Sequence, residues 1–315
     1  MGELLRRSLG SSGIEVSVLA LGSWQTYENV PREQALAVMT AAREAGIDFL
    51  DDARYDDRTG HAPIPTGYSE VLFGELFRST GWNRAEVTVS NKLWWEFWPD
   101  ESAARELEGS LGRMRFDHVD LIYATPPPDG LEISELVSEV AGLIDAGKAR
   151  AWGICMWKPG QIEEAARVAS DGGFPPPCVL QEAYNVAWRS PIEDDEMTRA
   201  LEAAAMSVVG SASLAFGALT CKYEQAGARG RLADELDNAA FGSALEAAPR
   251  LGELADRLET TPAALAIAFS LANPLVAAAL FGATRPEQVA ENAEGGRLLE
   301  RLTDDDLEEL RGICG

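Results

Sequence analysis

Histidine is nearly missing from this chain, with two in 315 residues, and its four cysteines, Cys155, Cys178, Cys221 and Cys314, are scattered without metal-ligand spacing. That scarcity argues against a zinc cage or a disulfide framework, and no metal is expected. Long apolar runs are absent too. The opening Met1-Gly2-Glu3-Leu4-Leu5-Arg6-Arg7 leads into no such run, so neither a signal peptide nor a spanning helix is indicated and a cytoplasmic protein is expected. Basic residues are few, 27 Lys and Arg against 51 Asp and Glu, and the net charge of -24 repels nucleic acid and anionic membrane. A G-x-G-x-x-G motif does not follow the first strand pattern, which weakens the case for a doubly wound dinucleotide sheet. With no composition break and no low-complexity segment, 46% hydrophobic residues give a large core within the size range of one barrel domain over residues 1–315.

What the chain does contain is a repeat of short apolar runs and helix-length amphipathic segments. Strands are expected at Val18–Leu21, Ile47–Asp51, Val87–Lys92, Val119–Ala124, Ala151–Cys155, Val179–Gln181, Ser207–Gly210 and Ala277–Gly282. Helical patterns lie between most of them, at Pro31–Ala45, Ser69–Phe77, Ser102–Met114, Glu132–Ala146, Gln161–Ala169 and Ile192–Ala203. Eight strands in βα units predict a (β/α)8 TIM barrel. Arg6–Leu9 and Glu15–Ser17, joined by Gly10-Ser11-Ser12-Gly13, read as an N-terminal β-hairpin. The longest stretch without a strand, Lys222–Asn273, is expected to be a large loop after strand seven and then helix.

Two places carry chemistry. Near the end, a buried strand stops at Gly282 and feeds Ala283-Thr284-Arg285-Pro286-Glu287-Gln288. A helix N-terminus offers free N–H groups, Gly282 admits a ligand to the backbone, and Arg285 can fork onto phosphate oxygens. An ordinary capped surface helix is the plainer reading. The second place is where strands two and three end, at Asp51-Asp52-Ala53-Arg54-Tyr55 and at Asn91-Lys92. Barrel chemistry sits at the C-terminal strand ends, and a Lys beside a phenol, oriented by an Asp, lowers the phenol's pKa and readies it as a proton donor. Taken singly, Asp51 reads as a helix cap and Lys92 as a side chain reaching water.

The block Gly282-Ala283-Thr284-Arg285-Pro286-Glu287-Gln288-x-x-Glu291-Asn292 resembles the last strand and helix of the aldo-keto reductases, and especially their potassium channel beta subunit-like bacterial branch. Further matched stretches run from Arg6 to Leu310. They include Leu19–Trp24, Ser69-Glu70-x-x-x-Gly74, Gly147–Gly153, Gln181-x-x-Tyr184-Asn185 and Leu214-x-x-Gly217-x-Leu219-Thr220-x-Lys222-Tyr223. The resemblance implies NADP(H) as cofactor and Asp51, a tyrosine and Lys92 as catalytic residues. It assigns to the cofactor Gly22, Ser23, Trp24, Asp51, Cys155, Gln181, Ser211, Leu214, Gly217, Lys222, Arg231, Gly282, Thr284, Arg285, Gln288, Glu291 and Asn292, with the 2'-phosphate and adenine on the last strand and helix.

The departures fall on the catalytic face. Thr125 stands where the family has its catalytic His and is taken as the fourth catalytic candidate, contacting the reacting group or a water; it can donate one hydrogen bond but cannot titrate near neutral pH. Cys155-Met156 replaces the family's carboxamide-binding Ser-Asn pair, and Ser211 replaces the aromatic that stacks on nicotinamide. Tyr55 comes one residue early, and the insertion Asp56–Gly67 separates it from Tyr68. Tyr55 is taken as the proton donor with Tyr68 as the alternative, and the insertion's His61 is a candidate replacement acid or an exposed loop residue. His118 precedes strand four and belongs to the stability face. Trp24, Trp94, Trp95, Phe97 and Trp98 suggest an aromatic-walled pocket for a small-molecule substrate, or loop packing in part. An oxidoreductase acting on a carbonyl, enone or imine is expected, for instance in specialised metabolism such as deoxysugar pathways. The competing expectation is an NADP-binding redox sensor or scaffold with little turnover. Oligomeric state is left open.

Overall fold

The computed structural model describes residues 4–224, 228, 230–233 and 235–314. The chain opens with β1 (Arg6–Ser8) and β2 (Glu15–Ser17), paired antiparallel as a hairpin. Eight strands follow: β3 (Leu19–Gly22), β4 (Phe49–Asp51), β5 (Thr88–Leu93), β6 (Leu121–Ala124), β7 (Ala151–Cys155), β8 (Val179–Ala183), β9 (Ser207–Ser211) and β10 (Val276–Phe281). They pair in parallel in sequence order, and β10 returns to β3 to close the barrel. The fold is the (β/α)8 TIM barrel with an N-terminal hairpin that the repeat predicts. Every residue of β3 through β7 and of β10 is buried, which is why these strands read as unbroken apolar runs rather than alternating ones.

Helices α1 (Arg32–Glu44), α2 (Tyr68–Thr80), α3 (Ala103–Met114), α4 (Ile133–Asp145) and α5 (Pro159–Gly172) each bury one stripe against the barrel. The pattern Ile192–Ala203, read as one helix, is two: α6 (Ser190–Glu193) and α7 (Asp195–Ala203). Asp194 between them is extended, and its side chain accepts from the Glu196 N–H at 2.9 Å, so an Asp able to cap a new helix ends the old one. After β9 the described residues form short 3-10 turns at Ala215–Thr220, Lys222–Glu224 and Ala239–Phe241, and then α8 (Gly242–Arg257) and α9 (Pro262–Ala272). Residues 263–271 of α9 are all buried, because α8 and α10 (Pro286–Leu298) cover it against β10. The last helix, α11 (Asp304–Arg311), went unread in the sequence although Thr303 and Asp306 form a reciprocal capping box.

The core has two compartments. One lies between strands and helices. The other is the barrel interior, where Leu9, Ile14 and Val16 of the hairpin pack on Ala20, Phe49, Leu121, Val179 and Ala277 and close the bottom. The hairpin comes very close: a Cβ on Gly10, at φ 48°, would lie 2.0 Å from the Cys178 carbonyl oxygen. Only glycine fits there. With its floor sealed, the barrel opens at the C-terminal strand ends. Among the described residues, no helix is long and apolar enough to cross a membrane.

Candidate active site

A cavity of about 1050 Å³ occupies that open end, at the upper limit of ordinary ligand sites, roughly 300–1,000 Å³. On its floor Asp51, the last residue of β4, faces Lys92 of β5 across 2.7 Å, both nearly free of solvent. Lys92 Nζ lies 3.3 Å from the Tyr55 hydroxyl. Asp51 is fixed on its other oxygen by the Ser90 hydroxyl at 2.7 Å and by Gln181 Nε2 at 3.0 Å. A buried ammonium is tolerated only when paired, and burial, which would lower the Lys92 pKa, is outweighed by Asp51, so the charge is retained.

The phenol behaves differently from the expectation. Burial and the carboxylates Asp51 and Asp52 together outweigh Lys92, so Tyr55 is raised above the ordinary phenol value rather than lowered. It remains a protonated donor at neutral pH. Tyr55 holds this place despite its early spacing because the insertion after it closes on itself: Asp56 bridges Thr66, and the Asp57 carboxylate accepts from Thr59 and from the Ala62 N–H. Tyr68 begins α2 and is not among the cavity's lining residues. His61 is exposed on the insertion and also lies outside the lining, and His118 lies below the barrel near Arg84 and Phe116.

The other arm of the cavity is cationic. Lys222, Arg231 and Arg285 line it, and none has a carboxylate within 4.0 Å among the described residues. Burial, Arg231 and Arg285 all depress the Lys222 pKa, while Glu28 acts on Arg231 in the opposite sense. Arg231 spans the mouth, donating to the Trp24 carbonyl at 2.8 Å with its guanidinium over the Trp24 ring. It packs over Gly282, where a Cβ would meet Arg231 Nη2 at 2.4 Å. At the start of α10, Gln288 Oε1 accepts from the N–H groups of Thr284 and Arg285 and from the Thr284 hydroxyl. Thr284 is thus already engaged, and the cation left to meet a ligand there is Arg285. Deeper in, Asn292 is 1% exposed and its Nδ2 has no acceptor among the described residues. A cationic wall beside a helix N-terminus, with a buried amide donor further in, suits a ligand that carries phosphate at one end and a ring with hydrogen-bond acceptors at the other.

The cavity wall brings together most of the remaining residues that the resemblance assigns to the cofactor: Gly22, Trp24, Cys155, Gln181, Ser211, Leu214, Gly217, Glu291 and Asn292. Two candidates, Ser23 for the cofactor and Thr125 for catalysis, lie outside the lining. Ser23 is buried and gives its hydroxyl to Asp52, whose own carboxyl is pushed well up by burial and by Glu70. Thr125 donates to the Leu93 carbonyl at 2.9 Å and is not part of the lining. Cys155 does face the cavity, with its thiol raised to about 12 by burial. Of the five aromatics proposed as pocket wall, Trp24 and Trp94 line the cavity while Trp95 packs against Trp98. Sequence reasoning missed Arg54, Trp188 and Phe216 in the lining and Tyr123 in the interior below. Phe216 was the accessible one, lying between the matched Leu214 and Gly217.

A family model described as Aldo/keto reductase family matches residues 18–314. The chain belongs to the aldo/keto reductase family. It therefore sits among oxidoreductases. It is similar over 98% of its length to three proteins whose names read probable or putative voltage-gated potassium channel subunit beta. Identity is 31% to the one from Oryza sativa subsp. japonica and 30% to the one from Arabidopsis thaliana, with 95% of each covered. It is 28% to that of Schizosaccharomyces pombe, with 92% covered.

Proposed function

We propose that this aldo/keto reductase family member is an NADP(H)-dependent oxidoreductase that reduces a carbonyl, or a related enone or imine, of a small and partly apolar substrate. The observation that carries this reading is the Asp51–Lys92–Tyr55 chain opening onto the same cavity as the cations Lys222, Arg231 and Arg285, which form no salt bridge among the described residues. When bound, the cofactor supplies the hydride. Arg285 and Lys222 would hold its phosphates, Glu291 and Asn292 its adenine, and Gln181 with Cys155 its carboxamide. Tyr55 holds the proton that completes the alcohol, Lys92 favours the phenolate left behind, and Asp51 keeps Lys92 charged and oriented. The net charge of -24 opposes nucleic acid or an anionic membrane as partner, and a small molecule in the cytoplasm is proposed instead.

Arg285 gives the test of cofactor choice. A charge-assisted fork onto the 2'-phosphate is worth about 1.5–3 kcal/mol, or roughly 10- to 150-fold in affinity. Titration of cofactor fluorescence is expected to show NADPH bound tighter than NADH, and Arg285→Ala to weaken NADPH alone. Equal affinity of the unmodified protein for the two would defeat the assignment. The relatives' names and the inward turn of the Thr125 hydroxyl support a second reading, a cofactor-holding subunit with little turnover. Slow single-turnover oxidation of bound NADPH without steady-state activity would favour it.

A further inference from the structure

Five carboxylates line the cavity, and the roles assigned so far leave one of them unused. Asp51 is paired with Lys92, Glu96 with Arg54, Glu291 lies on α10 at the adenine end, and Asp56 is exposed on the insertion. The fifth is Glu182, which follows Gln181 on β8. The parallel register sets its height in the barrel. Cys155 of β7 pairs with Gln181, while Glu182 pairs with Gly210 and Ala183 with Ser211, so Glu182 stands one step nearer the mouth than Cys155 and Gln181. Its charge is felt by the Cys155 thiol, whose pKa it helps to raise. One carboxylate oxygen, Oε1, accepts from the Ala183 N–H at 2.8 Å. The other has no hydrogen-bond partner among the described residues, is not shut off from solvent, and has no Lys or Arg within 4.0 Å. Burial raises the Glu182 pKa, and the Ala183 N–H opposes it without help from any cation. A half-buried carboxylate in that position is relieved by a cationic group on a ligand.

We infer that Glu182 faces the nicotinamide end of the cofactor and that its charge makes the protein hold the oxidised form, NADP+, more tightly than it would without that carboxylate. The inference rests on the reductase reading above, which puts the carboxamide on Gln181 and Cys155, the residues one step below Glu182. Hydride donation takes the nicotinamide ring from neutral to a charge of plus one, while the adenine and the phosphates are the same in both forms. A fixed carboxylate near the ring therefore discriminates between the two, and one at the adenine end does not. Lys92 does not cancel the effect, because its own charge is matched by Asp51 at 2.7 Å. The same carboxylate favours departure of the hydride, since positive charge develops on the ring as it leaves. A cationic group on the substrate is the other possible source of positive charge, and a binding measurement made without substrate separates the two.

The test compares the unmodified protein with Glu182→Gln, which keeps the shape and removes the charge. Dissociation constants of NADP+, NADPH and 2'-phospho-ADP-ribose, which lacks the nicotinamide, are measured by calorimetry at about pH 8, above the usual carboxylate range. Glu182→Gln is expected to weaken NADP+ about 5- to 50-fold and to leave NADPH and 2'-phospho-ADP-ribose within about twofold. Glu182→Asp, which retains the charge, is expected to keep most of the preference. An equal loss for NADPH would make Glu182 a packing residue, and an equal loss for 2'-phospho-ADP-ribose would place it away from the ring; either overturns the inference. So does an unchanged NADP+ affinity in Glu182→Gln with both cofactors bound, a result that leaves the reductase reading standing and assigns the carboxylate to a cationic substrate if 4-(trimethylammonio)benzaldehyde alone is weakened. Binding of neither cofactor by the unmodified protein would sink the reductase reading and the inference together.

Discussion

At Tyr55 an ammonium that favours the phenolate competes with burial and with two carboxylates that oppose it, and opposition wins. The sign has a kinetic consequence. An acid whose pKa is raised in the folded protein keeps its proton as pH climbs, so its loss comes later than that of a free phenol, which titrates at about 10. For carbonyl reduction kcat/KM is expected to stay level from neutral pH to about 10 and to fall only beyond it. A decline centred near neutral pH would point to another acid. Tyr55→Phe is expected to remove about 10²–10⁴ of the rate and to leave NADPH affinity within a few-fold, because the hydroxyl faces the substrate. Should Tyr68→Phe lose activity and Tyr55→Phe keep it, the assignment is reversed.

Among the elements, the hairpin of β1 and β2 acts only as a floor, and its energetics are separable from catalysis. Leu9 is fully buried in the barrel interior, so Leu9→Ala is expected to cost about 2–5 kcal/mol in denaturant unfolding while the folded fraction keeps its NADPH affinity. Weakened cofactor binding in proportion to the lost stability would show that floor and mouth are coupled. The strands were legible in sequence because both their faces are buried, and β7 coincides with its predicted span Ala151–Cys155. Asp51 and Lys92 were legible because they end such runs. Other features depend on groups distant in sequence. The Thr125 hydroxyl turns away because a carbonyl 32 residues earlier, that of Leu93, lies within its reach. Arg231 crosses 207 positions to the Trp24 carbonyl, a contact without local signal. The break at Asp194 was local and readable, since an Asp at a helix entrance is a cap wherever it falls.

Taken whole, the molecule carries a net charge of -24 yet gathers Lys222, Arg231 and Arg285 along one wall of its cavity. A dinucleotide phosphate is attracted by those three at contact and repelled by the remainder at a distance. The two effects respond differently to salt, because the Debye length falls from about 30 Å at 0.01 M to about 8 Å at 0.15 M, while groups in contact inside a cavity are screened far less. Over that range the long-range repulsion should be removed first. The association rate constant of NADPH, read by stopped-flow fluorescence, is therefore expected to rise between about 0.01 M and 0.15 M salt, opposite to the fall seen where an oppositely charged surface steers its ligand. The dissociation rate constant should change less, since it is set by contacts at Arg285 and its neighbours. A falling association rate over this range would mean that the cationic wall governs the field outside the mouth, and that the acidic surface is arranged away from the approach.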